Sequence, residues 1–265
     1  MSIRIVMKPK RENDTSESSR NIGTARVLYG KIYVIMIFVG PHDNPWTRSE
    51  AERYKAKVAE AEQWLKIQAA KYGKRLEFVN AAFGADGNFC DNDIPEDSDS
   101  ANAYSYPSSV FLKIGFESRN RFVDWVHDNT DCDQCLSIIF SNTKGRSYAS
   151  PVTREYHAYD SETYNLECCL LYRGFKNSDV ETNSATVAHE ILHLFGAWDL
   201  YRLDSSDSER AVKTELMFPD SIMLNTHRDI WETRIDEINA WLVGLKDEGQ
   251  DWYRWFEPGQ ESYLT

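Results

Sequence analysis

The sequence predicts a mixed α/β (α+β) domain, a twisted mixed sheet with long helices packed against it. Three stretches carry that prediction. Lys31 to Val39 is a continuous apolar, β-branched run ending at Gly40-Pro41, the pattern of a strand buried on both faces. Thr47 and Glu50 then form a capping box, and Ala51, Tyr54, Val58, Ala61, Leu65 and Ala69 recur at helical spacing to about Lys71, with Gly73 as the stop. Arg75 to Ala82 reads as a second strand. Strand, long helix, strand is a crossover unit, so these two strands are expected to run parallel.

Further along, residues 84–109 read as a long acidic loop with Asp86, Asp91, Asp93, Glu96, Asp97 and Asp99. Its oxygen-rich start offers calcium-type ligands, but the spacing does not match an EF-hand, so a solvated loop is preferred to a calcium site. Val110 to Asn129 reads as one helix, Cys135 to Ser141 as a third strand and Glu167 to Tyr172 as a fourth. Asn183 to Phe195 is a helix, and residues 204–210 a polar loop. Asp229 to Val243 reads as the last helix, with Ile230, Ile235, Ile238 and Leu242 on one side and Gly244 as its stop. The aromatic stretch DWYRWFEPG is expected to pack back on the body.

Composition bounds the function. With 265 residues and 42% hydrophobic content, a sizeable core is within reach. Residues 1–25, polar and aperiodic, are expected to be a flexible tail, and 26–265 a single domain. A net charge of −12 repels phosphate backbones, so nucleic acid is not an expected partner. The longest apolar run, Ile32 to Gly40, is too short to span a bilayer, so no membrane partner is expected. An odd number of cysteines, 5, and no secretory signal point to a reducing compartment and a cytoplasmic location, although the mature piece of a secreted precursor reads the same way. Cys132 and Cys135 form a lone CxxC, and a structural zinc site needs four ligands, so thiols are the preferred reading.

The chemistry concentrates in residues 186–201, TVAHEILHLFGAWDLY. Residues four apart lie on one face of a helix, so His189 and His193 can present two imidazole nitrogens to one ion. Glu190 is rotated by about 100° from His189. It is poorly placed as a ligand and well placed to take a proton from a water activated in an open fourth position. Gly196 can end the helix in a left-handed conformation and swing Asp199 back as the third ligand. The competing reading is an amphipathic helix with two satisfied histidines and a capping aspartate. The extension to HExxHxxGxxD makes that coincidence much harder to obtain.

HEILHLFGAWD resembles the zinc-binding motif of the metzincin clan of metalloproteases, in the variant where aspartate replaces the third histidine. SIMLN (Ser221 to Asn225) resembles the clan's Met-turn, with Met223 preferred over Met217 as the floor of the site. The resemblance implies a metzincin-like fold, with an upper part of about residues 26–196 that carries the active-site helix and a smaller C-terminal subdomain of about 197–265. It implies one Zn2+ per chain, Glu190 as general base, and a protein or peptide as substrate. It also implies an edge strand that pairs with an extended substrate, for which Gly145, Arg146, Ser147, Tyr148 and Ala149 are the candidates and residues 156–165 the alternative. A specificity pocket would draw its walls from about Met217 to Arg228. Some members carry a tyrosine two residues after the methionine; here Asn225 stands there, and His227, two further on, either assists the oxyanion or is a surface histidine. Two alternatives stay open. One is a site of gluzincin type with Glu215 as third ligand. The other is a degenerate or structural metal-binding module acting through protein–protein interaction.

Overall fold

A computed structural model describes residues 23–96, 102–103, 105–151, 167–176, 178–201 and 208–257. β1 (Gly30–Val39), α1 (Arg48–Lys71) and β2 (Leu76–Phe83) form the expected crossover, and β1 and β2 pair in parallel from Gly30 opposite Leu76 to Ile37 opposite Phe83. The capping box closes: the Glu50 N–H donates to Thr47 Oγ1 at 3.2 Å and the Thr47 N–H to Glu50 Oε2 at 3.0 Å. Beyond them come α2 (Tyr106–Lys113), α3 (Arg119–Asn129), β3 (Gln134–Lys144), β4 (Tyr148–Ser150), β5 (Cys168–Gly174) and α4 (Ser184–Leu194). The strand order is β2-β1-β3-β5-β4. All pairings are parallel except that of β4, which runs antiparallel to β5 at the sheet edge.

The central strands are buried on both faces because each face meets helices. On β1, Ile32, Val34, Met36 and Phe38 belong to one core cluster with the buried faces of α1 and α4. Tyr33, Ile35, Ile37 and Val39 belong to a second cluster with Phe111 of α2 and Phe122 and Val126 of α3. That two-residue alternation with apolar side chains on both sides is why β1 reads as a continuous apolar run. The first cluster also takes in Ile222, Met223, Ile238, Leu242, Tyr253 and Phe256, so the chain beyond Gly196 shares the core of α1 and α4. Among the described residues no helix is long and apolar enough to cross a membrane.

Several expected elements differ in detail. The single helix over Val110–Asn129 is two helices: Gly115 takes φ +99° and Ser118 caps α3 by accepting from the Arg121 N–H. Its first half starts earlier than expected, at Tyr106, with a proline in the first turn. Of the expected polar loop over 204–210, residues 208–210 instead open a helix, α5 (Ser208–Met217), which buries Arg210, Ala211 and Thr214, while 204–207 lie outside the described residues. The last helix is also broken, into a 3₁₀ turn (Ile230–Glu232) and α6 (Glu237–Leu242). Between them Arg234 donates its N–H to Asp220 O and accepts from the Ile222 N–H, so this stretch is pulled into a bridge with the turn at 221 and cannot stay helical. The tail boundary moves as well: Ala25 is fully buried, its N–H held by the Glu167 carboxylate at 2.6 Å. Residues 1–22 of the expected tail lie outside the described residues. The stretch Asp251–Phe256 packs back as a 3₁₀ helix, burying Tyr253 and Phe256.

Candidate metal centre

α4 is positioned by its ends and its apolar face. Asn183 caps the start, its side-chain oxygen accepting from the Thr186 N–H at 2.8 Å. Val187, Ala188, Ile191, Leu192 and Leu194 are buried against the core, which fixes the rotation of the helix and therefore the direction of its histidines. At the end, Gly196 takes φ +94°, and the Ala197 N–H reaches back to Leu192 O at 3.1 Å. This is the left-handed stop expected from the sequence, and it turns the chain toward the helix it has just left.

The turn brings three side chains together. His189 Nε2 lies 3.1 Å from His193 Nε2, and Asp199 Oδ1 lies 3.2 Å and 3.1 Å from them respectively. Among the described residues this is the group whose ligand atoms converge closely enough to hold one ion. Both imidazoles have their other nitrogen engaged: His189 Nδ1 lies 3.1 Å from Ile222 O, and His193 Nδ1 lies 2.9 Å from Ala197 O. A carbonyl only accepts, so each Nδ1 carries the proton, and each neutral ring turns its Nε2 lone pair inward. Asp199 Oδ1 is buried and has no hydrogen-bond donor. Three acceptor atoms thus face one another, an arrangement that repels itself unless a cation stands among them. Tetrahedral ligands about 2.0–2.1 Å from a zinc ion stand roughly 3.3 Å apart, which the observed separations approach. The donor set of two imidazoles and a carboxylate fits zinc.

Without an ion a proton competes for the same nitrogen: burial disfavours a charged His193, but the Asp199 carboxylate beside it outweighs burial and raises the imidazole to about 9, so an ion must displace that proton to bind. Burial pushes Asp199 upward, and the two imidazoles more than reverse that, holding it far below the usual carboxylate range. Glu190 is buried, and desolvation raises its carboxyl above the ordinary value against the opposing pull of the histidines.

Met223, the Met-turn candidate, is tied to the chain on both sides of the cluster. Met223 is fully buried, its carbonyl accepts from the Leu200 N–H at 2.9 Å, and the preceding Ile222 carbonyl is the partner of His189. Met217 is half-exposed at the end of α5. Glu215 is exposed on α5 and outside the converging group; it lines a cavity of about 340 Å³ with Tyr201, Pro219, Leu224, Asn225 and Arg228. The expected substrate strand is shifted: β4 covers Tyr148–Ser150, while Gly145, Arg146 and Ser147 lead into it. A side chain at Gly145 would collide with the Tyr172 ring, and the Gly145 N–H donates to Gly174 O at 2.9 Å, so this lead-in lies close against β5. Arg146 nonetheless reaches the centre, donating from Nη2 to the Tyr201 hydroxyl at 3.4 Å. Residues 156–165 lie outside the described residues. His227 is exposed, packs its ring on Phe175 and stands outside the converging group. In the acidic loop Asp91 is ion-paired with Lys113 and Asp86 accepts from Asn88, while Asp97 and Asp99 lie outside the described residues. All five thiols are unbridged, and burial raises that of Cys135 to about 12.

Several residues of the site were not legible in the motif. The Tyr201 ring stacks alongside His189 with centroids 6.3 Å apart. Asn239 Oδ1 accepts from the Trp198 N–H at 2.7 Å, and its amide donates to Asp236 Oδ2, which also accepts from Ser221 Oγ. One buried carboxylate on α6 therefore ties the Asp199 turn to the turn carrying Met223. Tyr201 has a weak sequence signal, lying two residues past Asp199. Asp236 and Asn239 had none beyond a helix cap.

No family model matches this chain, and no curated protein matches it. A solved structure described as a chaperone-substrate complex aligns with 11% identity and a TM-score of 0.36, covering 64% of this chain and 24% of its own. The chain thus spans less than a third of that neighbour, and a likeness of this extent fixes neither fold nor function.

Proposed function

We propose that this protein is a zinc-dependent peptidase of metzincin type that hydrolyses peptide bonds in a protein or peptide substrate. The observation that carries the proposal is the convergence of His189 Nε2, His193 Nε2 and Asp199 Oδ1 within 3.2 Å of one another, next to a buried glutamate. His189, His193 and Asp199 would hold the ion. When bound, it supplies Lewis acidity toward water and toward a carbonyl oxygen. Glu190, buried beside His189 and offset from the ligand face, then acts as general base toward the water and later returns the proton to the leaving amine. A structural metal has no use for that base, which disfavours the binding-module alternative. β4 stands last in the strand order of the sheet, the position at which an extended peptide can add as a further strand.

The test is metal analysis with peptide-library cleavage. The expected outcome is one zinc per chain, lost in His193→Ala and weakened in Asp199→Ala, with Glu190→Ala keeping the metal and losing hydrolysis. Unchanged zinc content in His193→Ala, or parent-level cleavage by Glu190→Ala, refutes the proposal. Loss of zinc in Glu215→Ala with none in Asp199→Ala would move the third ligand to Glu215.

A further inference from the structure

The third ligand stands on a short irregular segment, and its position depends on what holds that segment. Trp198 and Leu200 donate their N–H groups to Asn239 Oδ1 and Met223 O. The carbonyls of the same segment turn the other way, toward α5. Arg210 donates from Nη1 to Asp199 O at 2.9 Å and from Nη2 to Tyr201 O at 3.0 Å. Thr214 Oγ1 lies 2.9 Å from Leu200 O, with the Arg210 and Ala211 carbonyls of its own helix also in reach. Arg210 is 2% exposed and Thr214 fully buried.

A guanidinium is costly to bury, and Arg210 is buried on the inner face of a helix whose other side is open: Val212 and Leu216 are exposed. Its planar fork spans two carbonyls two residues apart, which a lysine ammonium cannot reproduce. With both of those carbonyls fixed, the backbone on the C-terminal side of the Asp199 side chain is held by Arg210, as the Trp198 N–H bond to Asn239 holds it on the N-terminal side. Only two side-chain torsions then separate that backbone from the carboxylate, and a metal site needs its ligands within about 0.5 Å of the working geometry.

We infer that Arg210 is a positioning residue for the metal centre: α5 clamps the main chain at Asp199 and Tyr201 through its guanidinium and so presents Asp199 Oδ1 to the ion. The inference rests on the metal-centre reading above and adds a residue that touches neither ion nor substrate. Removing an outer partner of a metal ligand typically weakens binding about 10–100-fold.

The experiment measures zinc affinity by chelator competition, well below the melting temperature, for the full chain and for Arg210→Met, Arg210→Lys and Lys213→Met. Absorption spectra of the cobalt-substituted proteins are recorded alongside. Arg210→Met is expected to bind zinc about 10–100-fold more weakly and to shift the cobalt spectrum, Arg210→Lys to fall between, and Lys213→Met on the outer face to match the parent. A merely structural arginine would lower the melting temperature and leave both readouts alone. Zinc affinity in Arg210→Met within about twofold of the parent overturns the inference. If that variant does not fold, parent-like affinity and cobalt spectrum in Arg210→Lys overturn it instead. Peptide cleavage is read separately: zinc affinity that responds to Arg210 in a protein that cleaves nothing supports the clamp and sinks the peptidase reading. A parent chain that binds no zinc overturns both.

Discussion

His189 and His193 stand on a helix that five apolar side chains seat against the core, with Asn183 capping its start and backbone carbonyls engaging the rings. Asp199 stands on a segment where nearly every backbone group is held by a specific polar partner: Asn239, Met223 O and Arg210. The two halves of one site are thus built by different physics. Apolar packing is non-directional and forgiving of single changes, provided volume is kept. Side-chain to backbone bonds are directional, and losing one leaves a buried group unsatisfied. The helix half should therefore respond to mutation through global stability, and the turn half through the geometry of the metal centre.

The largest expected effect leaves both halves intact. Glu190→Ala should retain zinc and a parent-like melting temperature while kcat/KM falls by about 10²–10⁴-fold, the usual worth of a general base. Steady-state kinetics on a peptide found by library profiling checks this. Next comes a cut in the helix-and-sheet half. Phe140 is fully buried and stacks on Phe38 with centroids 5.0 Å apart, so Phe140→Ala should cost about 3–5 kcal/mol in denaturant unfolding, with zinc affinity of the folded protein unchanged. Asn239→Ala should do the reverse. It unpairs the Trp198 N–H and frees one acceptor position on Asp236, costing about 1–3 kcal/mol, and weakens zinc by roughly tenfold. If Phe140→Ala weakens zinc as much as Asn239→Ala does, the division between the halves breaks down.

The smallest effect lies far from the centre. Glu62 on α1 is 4% exposed, and burial raises its carboxyl to about 7 against the opposing hydrogen bond from Asn80. A folded pKa above the unfolded value means the folded state holds the extra proton between them. Stability from this group is therefore present below about pH 4.5 and declines as pH rises toward 7. Glu62→Gln should flatten that decline and raise the melting temperature at pH 8 by about 2–4 °C for each kcal/mol recovered. Parallel melting curves for parent and variant from pH 4.5 to 8 would show Glu62 to be solvated after all.

What could be read from the chain alone follows the same division. Thr47 and Glu50 cap α1, Asn183 caps α4 and Gly196 ends it, all within a few residues of where they act. Local signals of this kind are present in the sequence because local contacts make them. α5 was missed because Ser208 to Arg210 sit in a polar run, and what makes that run helical is the burial of Arg210 and Thr214 against residues 199–201. The last helix was overextended because Arg234 is drawn to Asp220 and Ile222, which periodicity does not register.

The sequence by itself determined the crossover unit, the helix that carries His189 and His193, and the grouping of His189, Glu190, His193 and Asp199 around the glycine that joins them. Spacing along a helix and a left-handed stop are properties of neighbouring residues. Only the tertiary structure decided that Asp199 Oδ1 comes to 3.1–3.2 Å from both imidazoles, that Ile222 and Ala197 orient the rings, and that Arg210 and Asn239 hold the turn. Those contacts join helices α4, α5 and α6 across a shared core. Their partners are set by how the chain packs, which no local pattern encodes.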